Sequence, residues 1–147
     1  MTNDKIYIFD TTLRDGAQTQ GVDFSIDDKI KIAHALDDLG VDYIEGGWPG
    51  ANPTDTEFFQ KNTNLKNSIM TAFGMTKKVG RSADNDPGLS SILNSNTRAV
   101  CLVGKTWDFH VDVALGISKE ENIENISEST KLFVKGGKEF MFDAEHF

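Results

Sequence analysis

With 147 residues, 38% hydrophobic and 26% charged, the chain has the length and composition of one globular domain with a real core. Its formal net charge of −8 and pI of about 4.8, with no basic stripe anywhere, exclude a nucleic-acid groove or an anionic-membrane face as partners. No apolar run reaches the ~18 residues of a membrane span. The single cysteine, Cys101, can form no internal disulfide, which suits a cytoplasmic protein.

The opening MTNDKIYIFD enters a strand at once and leaves no room for a signal peptide. That first strand is expected at 6–9, and the stretch DTTLRDGAQ follows it. A plain connecting loop does not need that density of chemistry. The carboxylate of Asp15 can ligate a hard divalent cation. Arg14 can stabilise an oxyanion or grip a carboxylate bidentately. Gly16 lets the chain turn close to whatever they hold, and Gln18 can add an amide donor. The alternative for this loop is a surface salt bridge among polar residues.

In SIDDKIKIAHALDDLG, Ser25 and Asp28 form a capping box, Ile26, Ile30, Ala33 and Leu36 share one face, and Gly40 stops the helix. The strand at 41–45 ends in Glu45, which either orients Arg14 across the sheet, backs a metal ligand, or is satisfied by nearby backbone amides. Trp48 is expected to pack over the strand ends. After a helix near 54–62, the strand at 68–73 leads into FGMTKKVGR, where Lys77, Lys78 and Arg81 either meet an anionic group or are simply solvated.

A helix near 85–95 precedes the strand at 98–103, which holds Cys101, and another is expected near 107–115. SKEENIENISESTKLFVKGG repeats the first helix's design. It has Ser118 with Glu121 as a capping box, Ile123, Ile126 and Phe133 on its apolar face, and Gly136 and Gly137 as its stop. The strand at 139–144 ends in Asp143, Glu145 and His146. Glu145, partly desolvated, can act as a general base. His146 is a metal ligand or a structural histidine. His34 and His110 make no H-x-H spacing with it, so the sequence holds no complete metal site and Asp15 is a single candidate ligand.

Strands roughly thirty to forty residues apart, alternating with helices, specify a parallel α/β sheet. A doubly wound sheet and a (β/α)8 TIM barrel both fit, and both gather function at the strands' C-terminal ends. The polar loops lie there, whereas the opposite connections, such as LGVD and KGGK, are plain turns. A closed barrel takes eight strands and about 250 residues. Five strands are therefore either an open sheet or the front of something longer.

The string FDTTLRDGAQ resembles the signature of the pyruvate-carboxylate-like, metal-dependent synthases and lyases. That family includes citramalate, 2-isopropylmalate and homocitrate synthases and 3-hydroxy-3-methylglutaryl-CoA lyase. YIEGGWPGANPTDTEFF, FGMTKK, GKTWDFHV and FDAEHF look most like the citramalate synthase branch. The resemblance implies a TIM barrel whose N-terminal five βα units are residues 1–147, and a Claisen-type condensation of acetyl-CoA with an α-keto acid, pyruvate in that branch. It assigns Asp15 to a divalent ion (Mg, Mn or Zn), Arg14 to the developing negative charge, and Glu145 to acid–base catalysis. Gln18, Glu45 and Phe73 are expected around the substrate. Family members add an H-x-H pair on a later strand as further ligands, and a homodimer is expected for the full-length protein.

Two other readings compete. IYIFDTTL also resembles the first motif of haloacid-dehalogenase-type phosphotransferases, with Asp10 as nucleophile, although the RDGAQ extension and the absence of their later lysine and acidic pair depart from it. A non-catalytic half-barrel is the third reading.

Overall fold

The structure, a computed structural model, describes residues 5–61 and 63–147. Residues 1–4, ahead of the first strand expected at 6–9, and Asn62 at the end of the helix expected at 54–62 lie outside them. Elements run β1 (Phe9–Asp10), α1 (Ile26–Leu39), β2 (Tyr43–Gly47), α2 (Pro53–Gln60), β3 (Ile69–Met75), α3 (Pro87–Leu93), β4 (Ala99–Lys105), α4 (Asp108–His110), α5 (Lys119–Lys135) and β5 (Glu139–Glu145). A π-helical turn, Val111–Leu115, continues α4.

The strands form one parallel sheet in the order β1-β2-β3-β4-β5. This order decides between the two expected architectures. A doubly wound sheet reverses its strand order at a switch point, which places helices on both faces. A sheet that only ever adds the next strand, through right-handed crossovers, keeps its helices on one face and curls away from them. Ile44, Ala72, Val100 and Leu102 accordingly pack with Ala33, Phe58, Leu89, Ile92 and Phe133 of the helices in a single core. The alternate residues Glu45, Thr71, Phe73 and Cys101 belong to the opposite, concave face. There Tyr43 Oη donates to Glu139 Oε1 at 2.5 Å, tying β2 to β5. Among the described residues no helix is long and apolar enough to cross a membrane.

Two expectations are corrected. The first strand is only two residues long, and Ile6, Tyr7 and Ile8 are exposed. At the edge of the sheet β1 has a neighbour on one side only. The Ile8 carbonyl still accepts from Asp42 and Tyr43 N–H, but no ladder extends behind it. On α5 the expected apolar face holds for Phe133, which is buried, but not for Ile123, which is 66% exposed. The buried side carries Asn122, Asn125, Ser129 and Phe133. The helix docks through hydrogen bonds: Asn122 Nδ2 donates to the Lys105 carbonyl at 2.8 Å, and Ser129 Oγ accepts from Lys77 N–H at 2.9 Å.

The helix ends behave as expected. Ser25 and Asp28 make the full capping box, and Gly40 closes α1 in the left-handed region at φ 88°. Ser118 Oγ accepts from Glu121 N–H, one half of the box expected on α5.

Candidate active site

The loop after β1 folds around two acceptors. The Asp10 carboxylate takes the Thr12 N–H at 2.9 Å and its hydroxyl at 3.1 Å, an Asx turn. The Thr11 carbonyl collects the N–H groups of Arg14, Asp15 and Gly16 at 2.9–3.1 Å. Leu13, fully buried, anchors the loop in the core. Asp10, the nucleophile of the phosphotransferase reading, is thus engaged in shaping this turn. Gly16 has ordinary φ and room for a Cβ, so the turn does not require a glycine there.

Arg14 is the hub. Its Nε donates to Glu45 Oε2 at 2.7 Å and its Nη1 to Asp15 Oδ1 at 3.1 Å. Its guanidinium lies 4.0 Å from the centre of the Phe73 ring, a cation–π contact. Phe73 in turn meets the edge of Trp48 at 5.4 Å, so Trp48 packs at the strand ends as expected. Of the three roles open to Glu45, the geometry selects the orientation of Arg14. Glu45 is 1% exposed. Burial raises its pKa, Arg14 opposes that, and the nearby carboxylates of Asp143 and Asp15 add to the rise, leaving it above the ordinary value.

Gln18 joins Arg14, Lys29, Trp48 and Asn52 around a cavity of about 310 Å³ between the loops that follow β1 and β2. Glu145 stands apart from this group, on the far edge strand, and ion-pairs with Lys105. Lys105 holds the Glu145 pKa below its ordinary value, so the carboxylate is kept ionised by a partner instead of being raised by desolvation. His146 has φ 56°, and its Nε2 is 3.8 Å from Glu145 Oε1. It meets His110 edge-on at 4.8 Å. Lys77 is tied to Glu128 at 3.0 Å and to the Arg81 carbonyl at 2.7 Å, so this basic run is partly engaged within the protein. Cys101, buried beside Glu45 and Asp143, has its thiol pushed up to about 12 by desolvation first and then by those carboxylates.

Asp15 remains largely exposed at 64%. Among the described residues no three His, Cys, Asp or Glu side chains come together as metal ligands. These residues therefore do not fit a resident metal ion by themselves.

Sequence reasoning missed Lys29 and Asp55, which pair in a buried position. The signal was there: Lys29 falls among Ile26, Ile30 and Ala33 on the face read as apolar.

A parallel sheet that adds its strands in sequence order and keeps its helices on one face has the architecture of a barrel-type α/β protein. The chain belongs to the HMGL-like family, whose model matches residues 5–147. It is 49% identical over 146 residues to the (R)-citramalate synthase of Aquifex aeolicus (strain VF5), covering 98% of this chain and 28% of that protein. It is 36% identical over 129 residues to the 2-isopropylmalate synthase of Sulfolobus acidocaldarius, covering 86% of this chain and 31% of that protein. The chain thus spans under a third of the length of these relatives. The crystal structure of the Bacillus subtilis HMG-CoA lyase superposes with a TM-score of 0.71 at 17% identity, over 94% of this chain and 45% of that one. The five strands and their helices accordingly match the N-terminal part of a TIM barrel.

Proposed function

We propose that this chain is the N-terminal part of the single catalytic barrel domain of a cytoplasmic, acetyl-CoA-dependent condensing enzyme. The reaction is condensation of acetyl-CoA with pyruvate and water to give citramalate and free CoA, a step in branched-chain amino-acid biosynthesis. The observation that carries this reading is Arg14, fixed by Glu45, Asp15 and Phe73 at the ends of the first three strands. Pyruvate is preferred to a bulkier keto acid because identity to citramalate synthases exceeds that to 2-isopropylmalate synthases.

In this reading Glu145, held ionised by Lys105, takes a methyl proton from acetyl-CoA. The resulting enolate carbon attacks the keto carbon of pyruvate. Arg14 meets the alkoxide as it forms, already oriented, so little reorganisation accompanies the charge. Gln18 and Phe73 bound the space in which the keto acid sits, and thioester hydrolysis makes the sequence irreversible. The divalent ion implied by the family has Asp15 as its candidate ligand in this chain, and the H-x-H pair expected on a later strand would supply further ligands.

The test is release of free CoA thiol from acetyl-CoA by the intact protein. Pyruvate-dependent release supports the reading. Release with 2-ketoisovalerate alone moves the assignment to 2-isopropylmalate synthase, and no keto-acid-dependent release overturns it.

A further inference from the structure

We propose that Lys29 and Asp55 are positioning residues whose buried ion pair clamps the end of β2 and thereby sets the orientation of Arg14. The inference rests on the reading of Arg14 as the group that meets negative charge.

β2 does not run regularly into its loop. Its pairing with β3 passes from Glu45 to Gly47 and skips Gly46. Such a bulge leaves backbone groups outside the ladder, and each needs another partner when buried. Lys29 Nζ, 3% exposed, donates to the Gly46 carbonyl at 2.9 Å and to Asp55 Oδ1. Asp55 Oδ2 accepts the Trp48 N–H at 2.9 Å and the Asn52 side-chain amide at 3.0 Å. The pair therefore holds the bulge at two points, through the carbonyl of the bulged Gly46 and the N–H of Trp48 two residues on.

Gly47 lets Asp55 come this close, and Gly46 lets the bulge sit against the core. A Cβ on Gly47, whose φ is 145°, would lie 2.5 Å from Asp55 Cγ, and a Cβ on Gly46 would lie 2.7 Å from Phe58 and Met70. The held segment touches the site at two points. Glu45 precedes the clamped carbonyl and takes Arg14 Nε. Trp48 carries the clamped N–H and supports Phe73, on which the Arg14 guanidinium rests. A shift of the bulge thus moves both the acceptor and the aromatic platform of Arg14.

A merely structural pair and a positioning pair are distinguished by removing both charges at once. Apolar replacement of a buried ion pair commonly preserves stability, so Lys29→Met/Asp55→Leu keeps the fold while releasing the bulge. The readout is the Arg14 Nε–H resonance of isotope-labelled protein. The chain has three arginines, Arg14, Arg81 and Arg98, and Arg14→Lys identifies the signal by its loss. The expected result is exchange of this proton with water faster by about tenfold or more, at an unchanged circular dichroism spectrum. Unchanged protection in the folded double variant overturns the proposal. Should the double variant not fold, Asp55→Asn takes its place under the same criterion. In the condensation assay, kcat is expected to fall about 100-fold with KM for pyruvate little changed. A native protein without condensation activity sinks the functional reading alone, because the exchange measurement still decides the clamp.

Discussion

Arg14 Nε and Glu45 Oε2, 31 positions apart in the chain, lie 2.7 Å from one another on the concave face. Glu45 is buried, so its charge is held by this arginine and not by water. Glu45→Gln keeps the shape and removes the charge. Steady-state kinetics of that variant are expected to show kcat lowered by about 10- to 100-fold with KM for pyruvate nearly constant, the mark of an interaction that matters in the transition state. A change in KM alone would assign Glu45 to ground-state binding.

Glu145 gives a pH prediction. Its pKa is lowered first by the Lys105 hydrogen bond. As a base it is active when ionised, so activity declines as pH falls through its pKa. Lys105→Met removes the partner and raises that pKa. The acid limb of the kcat profile is therefore expected to move to higher pH, and an unmoved limb would exclude Glu145 as the titrating base.

Asp37 contributes to acid stability. It is buried in α1, and burial alone would raise its pKa. The backbone N–H groups of Lys66, Asn67 and Ser68, at 2.7–2.8 Å, outweigh burial and bring it down to about 2. A depressed folded-state pKa contributes stability above the unfolded value of 3.8 and loses it as pH falls towards about 2. Asp37→Asn is expected to cost about 2 kcal/mol near neutral pH by urea unfolding. The difference from the native protein should narrow across that acid window.

Gly47→Ala places a Cβ against Asp55 at a φ of 145° that L-residues seldom adopt. A loss of about 3 kcal/mol or more is expected in thermal unfolding. Gly80→Ala, also at positive φ but with nothing within 4 Å of its Cβ, is the control, expected to cost about 1 kcal/mol.

Cys101, with its thiol near 12 and buried in β4, is expected to resist a thiol reagent in the native protein and to react fully in denaturant.

The four longer strands and the helices with clear capping residues were legible because each is written locally. Apolar runs end in polar loops, Ser25 and Ser118 stand at helix starts, and glycines stand at the ends. The loop DTTLRDGAQ stood out through its resemblance to the family signature, since its residue types alone equally allow a surface salt bridge. What was not legible depends on neighbours distant in sequence. The shortness of β1 depends on how far β2 runs beside it, where only Phe9 and Asp10 find partners in Tyr43 and Ile44. The polar burial of α5 follows from loop backbone that needs Asn122 and Ser129. Lys29 and Asp55 look like surface charges until α1 and α2 are laid side by side.

The strand order has a bearing on how the chain is made. Among the described residues, β2, β3, β4 and β5 each pair with the strand synthesised immediately before them, so these four pairings wait for no distant segment. The sheet can grow one βα unit at a time behind the ribosome, each new unit finding its template already in place. The Tyr43–Glu139 hydrogen bond, spanning 96 positions, can close only after β5 has emerged. That cross-sheet contact therefore forms after the loop carrying Arg14 is already in place.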